Sequence, residues 1–360
     1  MTVTAHLIAT IAIPAGPGDA PPGIVRWPAG RRLVIRRTDA ELIAHDLDRL
    51  RTDLVAAPVR FPAPWPRSRS QHAIGPALDF VVFAGPHALR AVGPGGEVRW
   101  EHPHPCWELS CLAVHASYEE YAADPGHRDP AIGSCWISAD GSTVWAHVQG
   151  EKGEEEWLVL DAVDGRVLAR TRTGTGTLGS EHLPPPDPGR MGLSVGEGQD
   201  GSPLLWARWD GRELTVDRIG DDLYILLDVS PSGDTLLAVT HGGPDLLVGL
   251  RADDGSEAAE LESETLPLHP GADPDEDTAE DTLWDYDAGY VDEDTVLAAT
   301  TDTDEEYGAG RHWIVDAPEM RLRGEVVYPF PNTGRATALG DGTWLTFDDD
   351  GSAVHQWRVS

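Results

Sequence analysis

Lysine is almost absent from this 360-residue chain: Lys152 is the only one, and the other 26 basic side chains are arginine. Against these 27 basic residues stand 61 acidic ones, a net charge of −34 with histidine neutral. The surplus lies late in the chain, because residues 1–100 hold 12 arginines and 8 acids, leaving 15 basic and 53 acidic side chains for 101–360. Nucleic acid demands a clustered basic face to neutralise phosphates, and no such face is encoded there. The same charge repels anionic membrane surfaces. Cysteine is scarce too. Cys106, Cys111 and Cys135 are an odd number in a long chain, which rules out a disulfide framework and fits a reducing compartment. No apolar run approaches the roughly 20 residues of a spanning helix. Residues 1–14 also lack the basic start of a signal peptide, so a cytoplasmic monomer is expected. Helical periodicity is nearly missing: the best candidates, Asp46–Thr52 and Ser117–Ala123, are too short to shape an architecture.

What remains is strand. Apolar residues make up 40% of the chain and charged residues 24%, which is ordinary globular composition. Val3, Ala5, Leu7, Ala9, Ile11 and Ile13 share one parity, the period-2 mark of a half-buried strand. Short Val, Ile, Leu or Trp-rich runs bounded by Gly, Asp or Pro then recur, among them Arg32–Arg37, Glu41–Asp46, Val144–Gln149, Leu246–Arg251 and Thr295–Thr300.

One phrase repeats, as Trp136-Ile-Ser-Ala-Asp-Gly-Ser-Thr-Val-Trp-Ala146, as Asp228-Val-Ser-Pro-Ser-Gly-Asp-Thr-Leu-Leu-Ala238, and more loosely from Tyr290 to Ala298. Its content is strand, tight turn, strand. Anchoring each unit on its second strand gives Leu33, Val81, Val144, Leu204, Leu236, Val296 and Trp344, at separations of 48, 63, 60, 32, 60 and 48 residues. Further turns at Ala162-Val-Asp-Gly165 and Ala252-Asp-Asp-Gly255 lead to third and fourth strands, so each unit is a four-stranded meander.

The chain thereby resembles the WD40-like and quinoprotein-like β-propellers, whose blades share an apolar-Ser-Pro-Asp-Gly-like turn before the second strand. The Gly-His and Trp-Asp dipeptides of true WD40 repeats are missing at regular positions, since Trp209-Asp210 and Trp284-Asp285 are out of register. The resemblance implies an all-β, seven-bladed propeller of four-stranded antiparallel blades, a single domain over 1–360 closed by the N-terminal strand. The blades fall near 15–62, 72–103, 133–174, 190–220, 222–266, 283–329 and 335–360 plus 3–13, with long insertions at 101–133 and 266–282. The fourth unit is the anomaly, with only 32 residues between its anchors.

Long connections open on one face of such a fold and are the natural place for binding residues. The residues that begin the inner strands, His72, Arg190, Tyr224, Trp284, Asp285 and Arg335, are the candidate ligand-binding set. Arginines facing a carboxylate suit a small polar ligand or a protein partner through bidentate pairing. Trp65 and Trp107 would rim a partner-binding patch. In the dense phrase Glu101-His-Pro-His-Pro-Cys-Trp-Glu-Leu-Ser-Cys111, the alternate positions His102, His104 and Cys106 suit Zn or Cu. Ca is less favoured at the acidic stretch 273–287, which reads as a solvated loop. No nucleotide loop or hydrolase signature occurs, and the catalytic residues are unknown. A binding propeller is the first expectation. The alternative is a metal-assisted hydrolase, lyase or isomerase using His72, His102, His104 and Asp285.

Overall fold

The computed structural model describes residues 1–14, 21–27, 30–52, 56–108, 111, 113–124, 127, 132–220, 222–243, 245–267, 269, 282–300, 311–331 and 335–359. Its strands follow the alternation of the sequence closely. Arg32–Arg37, Glu41–Asp46, Leu246–Arg251 and Thr295–Thr300 have the bounds their apolar runs predict. Each antiparallel hairpin forms where a short polar turn reverses the chain between two runs. The repeated phrase folds the same way twice. Ser138 and Ser230 donate their N–H groups to Thr143 O and Thr235 O, at 3.0 and 2.8 Å. Their hydroxyls accept Thr143 N–H and Thr235 N–H, at 3.0 and 3.1 Å. The glycines of the two turns, Gly141 and Gly233, hold φ of 73° and 83°, the left-handed region that disfavours a Cβ.

The chain divides into two compact units. One comprises Gly16–Asp46 and Ala56–Arg218. Its strands form four sheets of four, each a meander in chain order. The first runs Pro22–Arg26, Arg32–Arg37, Glu41–Asp46 and Val59–Pro62; the second Gln71–Ile74, Val81–Ala84, Ala88–Val92 and Val98–Pro103. The third is Cys135–Ile137, Thr143–Gln149, Glu155–Asp161 and Val167–Arg172; the fourth Gly179–Leu183, Arg190–Gly196, Leu204–Trp209 and Leu214–Ile219. Between the sheets lie continuous apolar clusters, such as Val82, Leu89, Trp100, Val144, Leu158 and Leu160. Trp100 joins the second sheet to the third by donating its indole N–H to Ala162 O at 3.0 Å. It rests on Gly165, whose φ is +72° and where a Cβ would stand 2.6 Å from the ring.

The fourth sheet corrects the sequence reading. Its first strand, Gly179–Leu183, falls in what reads as a connection, and Arg190 begins the second strand rather than the inner one. The anomalous 32-residue spacing follows from that misplaced anchor, and the sheet has its full four strands. A strand reading Gly-Ser-Glu-His-Leu carries almost no apolar signal, because its buried side chain, His182, and the half-buried Ser180 are polar and bonded to the neighbouring sheet.

The other unit comprises Met1–Ala15, Leu47–Val55 and Ile219–Ser360. It holds a four-stranded sheet from Tyr224–Val229 to Glu257–Glu262 and an eight-stranded one. The latter consists of two groups of four, one from Trp284–Asp292 to Arg321–Val327, the other Ala336–Ala338, Trp344–Phe347, Ala353–Val359 and the N-terminal strand Thr2–Ala12. Thr2–Ala12 pairs antiparallel with the last strand, Ala5 opposite Val359 and Ala12 opposite Ala353, so the chain's start completes its final sheet as expected. A register shift between Leu7 and Ala9 breaks the alternation and leaves Leu7 41% exposed. Thr2–Thr4 also pair in parallel with Glu325–Val327, which joins the two groups. Trp284, Trp313, Trp344 and Trp357 are wholly buried in this unit's core. The short α-helix Leu47–Thr52 buries Leu47 and Leu50.

Candidate functional site

The segment after Val98–Pro103 is fixed by its own backbone. His104 N–H donates to His87 O at 2.9 Å and Trp107 N–H to Pro86 O at 3.1 Å, so the chain lies along the hairpin between Val81–Ala84 and Ala88–Val92. Trp107 is buried, edge-on to His104 and to His147, and Gly133 passes beneath it with no room for a Cβ. The chain then reverses: Cys106 N–H donates to Ala113 O and Cys111 N–H to Glu108 O, both at 2.8 Å.

This reversal assembles Cys106, Cys111, His115 and His127, whose ligating atoms all lie within 4.8 Å of one another. Cys111 Sγ is 3.3 Å from His115 Nε2. Each histidine turns its other nitrogen to a carboxylate, His115 Nδ1 to Glu120 Oε2 at 3.1 Å and His127 Nδ1 to Asp124 Oδ2 at 3.0 Å. Glu108 N–H donates to Cys106 Sγ at 3.4 Å. Tyr121 packs against both imidazoles, with ring centroids 4.5 and 5.0 Å away, and its hydroxyl meets His87 Nδ1. Burial, against the lowering effect of the Glu108 N–H bond, pushes the Cys106 thiol up to about 11, and burial pushes the Tyr121 phenol upward as well.

Of the three candidate metal ligands, the structure places only Cys106 in this group. His104 is buried, its Nδ1 2.7 Å from Pro105 O, and burial lowers its pKa to about 3. His102 sits in the strand and lines a separate cleft of 380 Å³ with Val114, Lys152, Glu156, Arg170 and Arg172. That cleft carries cations, yet Arg170 pairs with Glu156 and Arg172 with Glu154, at 3.3 and 2.7 Å.

A second polar constellation ties the third sheet to the fourth. Trp157 Nε1–H donates to His182 Nε2 at 2.9 Å, which leaves the proton of this neutral imidazole on Nδ1, 2.8 Å from Ser134 Oγ. Burial first, then the nearby His147, holds the His182 pKa well below the ordinary value. The chain continues from Ser134 Oγ to Ser180 Oγ at 2.9 Å and to His147 Nδ1 at 3.0 Å, and His147 Nε2 faces Glu155 Oε2 at 3.2 Å. Thr175 Oγ1–H and Thr177 N–H donate to the same carboxylate, both at 2.6 Å. Burial raises the Glu155 pKa, but His147 and the two threonines outweigh it and the net shift is downward. Alternation along the strands aims Glu154 and Glu156 into the cleft and Glu155 away from it.

The candidate ligand set is divided between the units. In the first, His72 lies in Gln71–Ile74, where burial and then Arg37 lower its pKa to about 4, and Arg190 pairs with Asp187 at 3.6 Å. In the second, Tyr224 donates to Glu257 at 3.5 Å, Asp285 caps Tyr286 N–H at 2.6 Å, and Arg335 pairs with Asp287 at 3.2 Å. Trp284 is not a surface residue: it is fully buried and donates its indole N–H to Leu261 O at 3.1 Å. Trp65 and Trp107, each 2% exposed, rim no patch. Residues 273–281 of the acidic stretch lie outside the described residues.

No family model matches the sequence, and no curated protein matches it. Among solved structures, the Cps50 (Swd1) β-propeller domain of Myceliophteria thermophila is similar over 97% of this chain and 99% of that one, at 10% identity and a TM-score of 0.56. The RRP9 WD40 repeats are similar over 99% and 100%, at 10% identity and a TM-score of 0.56. The fold is a β-propeller. The dihydro-heme d1 dehydrogenase NirN is also similar, over 95% of this chain and 63% of its own at 14% identity, with a TM-score of 0.54. Identities this low carry architecture and not activity.

Of the sequence candidates His102, His104 and Cys106, only Cys106 lies in the cluster with Cys111, His115 and His127. Alternation predicts side chains on one side of an extended strand, whereas the turn after Cys106 brings in Cys111 and His115. The spacing Cys106-x4-Cys111-x3-His115 was the available signal. His147 was missed because its strand, Thr143–Gln149, reads as core.

Proposed function

We propose that the protein is a non-catalytic binding propeller whose partner is a protein with a cationic surface. The observation that carries this reading is the orientation of the one extended carboxylate–imidazole–hydroxyl chain among the described residues. Glu155, His147 and Ser180 face away from the cleft, and Ser180 is shared with Ser134 in a chain that runs to Trp157. Its bonds from Ser134, His147 and Trp157 to Ser180 and His182 run from the third sheet to the fourth. Such a network is a structural clamp, since hydrogen-bonded polar groups between packed sheets rigidify the core. The rigid scaffold then offers its surface. With a net charge of −34, that surface steers a basic partner toward it and repels an acidic one.

The test is affinity capture on the purified chain at low and high ionic strength, with an acidic globular protein of similar size as the control bait. A basic protein retained at low salt, released as salt rises and absent from the control is the expected result. A fluorophosphonate probe that labels Ser180, with labelling abolished in Ser180→Ala, would overturn the reading in favour of a serine hydrolase.

A further inference from the structure

We propose that Cys106, Cys111, His115 and His127 bind one Zn²⁺ ion as a closed structural site that fastens the segment after Val98–Pro103 to the body of the propeller. This stands independently of what the propeller binds. Two thiols and two imidazoles are the donor set Zn²⁺ prefers, and four protein donors leave no open position for chemistry. Tetrahedral bonds of about 2.0 Å to nitrogen and 2.3 Å to sulfur place donor atoms roughly 3.3–3.8 Å apart. The spread of up to 4.8 Å between these donors is therefore within about 1 Å of a finished site, and the Cys111–His115 pair at 3.3 Å is already there.

The surroundings are built to the same end. A carboxylate only accepts hydrogen bonds, so Glu120 and Asp124 keep the protons of His115 and His127 on Nδ1 and turn both Nε2 lone pairs inward. Carboxylate–histidine pairs of this kind orient metal ligands. His127 Nε2 is buried without a hydrogen-bond partner, in a residue only 8% exposed. A ring nitrogen desolvated in that way is stabilised by a cation and by little else on hand. Cys106 is fully buried, and Glu108 N–H already points at its sulfur. Binding is balanced simply: two thiols release two protons to solvent, and two thiolates with one Zn²⁺ leave the centre neutral.

The test is made on the full chain, purified without an affinity tag or chelator, by elemental analysis and by titration with Zn²⁺ and Co²⁺. One equivalent of Zn per chain is expected, and Co²⁺ should give the intense visible bands and thiolate charge-transfer absorption of a tetrahedral two-sulfur site. His127→Gln and Cys111→Ser should abolish both, with the strand circular dichroism unchanged. Glu120→Gln, which leaves the four donors intact, should weaken Zn²⁺ 10–100-fold. His102→Ala with His104→Ala should retain the metal. The proposal is overturned if no metal is retained at equimolar Zn²⁺, if Co²⁺ binds without thiolate absorption, or if the His102/His104 variant is the one that loses metal. An intact mass two hydrogens short, mapped to a Cys106–Cys111 disulfide in the freshly purified protein, would overturn it equally.

Discussion

Histidine shows most plainly how a residue's surroundings decide its role. His147, His182 and His312 lie in strands and are buried. Burial lowers the His312 pKa from 6.5 to about 4, with Nδ1 held 2.7 Å from the Tyr328 hydroxyl. Below pH 6.5 the unfolded chain takes up a proton that the native state refuses. The contribution of His312 is therefore fully present above pH 6.5 and is lost as pH falls toward 4, by at most about 1.4 kcal/mol per unit. Urea unfolding at pH 7 and pH 5 should show a lower midpoint at pH 5, and His312→Gln should narrow the difference. An unchanged difference would place the acid sensitivity elsewhere. None of this is legible in the sequence, because the burial of one imidazole depends on chain that is distant along the backbone.

Elements were legible where side chains alternate between core and solvent, and illegible where the inner strand is polar. Arg32–Arg37 and Leu246–Arg251 carry their own signal. Gly179–Leu183 carries none, since Ser180 and His182 are paid for by Ser134, His147 and Trp157 on the next sheet. Turns are the other readable class, and they differ in what they tolerate. Gly165 and Gly174 have similar φ, +72° and +68°, but a Cβ on Gly165 meets Trp100 while one on Gly174 meets nothing within 4 Å. Gly174→Ala should cost only the left-handed backbone penalty, about 1–2 kcal/mol. Gly165→Ala should cost more, because Trp100 must also move and its bond to Ala162 is at stake. Chemical denaturation of the two variants checks the order, and equal losses would mean that Trp100 gives way freely.

For the molecule as a whole, the repeat spacing was enough to suggest the propeller, and the pairing of Thr2–Ala12 with Ala353–Val359 bears out the closing strand. Its second, parallel partner at Glu325–Val327 was not readable, because parallel pairing leaves no mark in a strand's own pattern. Removing residues 1–12 should expose the edge of Ala353–Val359 and the apolar faces beside it, lowering the midpoint of thermal unfolding and producing larger species on gel filtration. A peptide of residues 2–12 added in trans should reverse both effects, and a truncated chain that elutes like the full one at full stability would refute this. The pairing also has a consequence in time. Thr10 meets His355, 345 positions later, so during synthesis this strand waits unpartnered until those intervening residues have been made. Its exposed Leu7 and Ile8 are then a place for a chaperone to hold, and slow refolding from denaturant should trace to the docking of this strand.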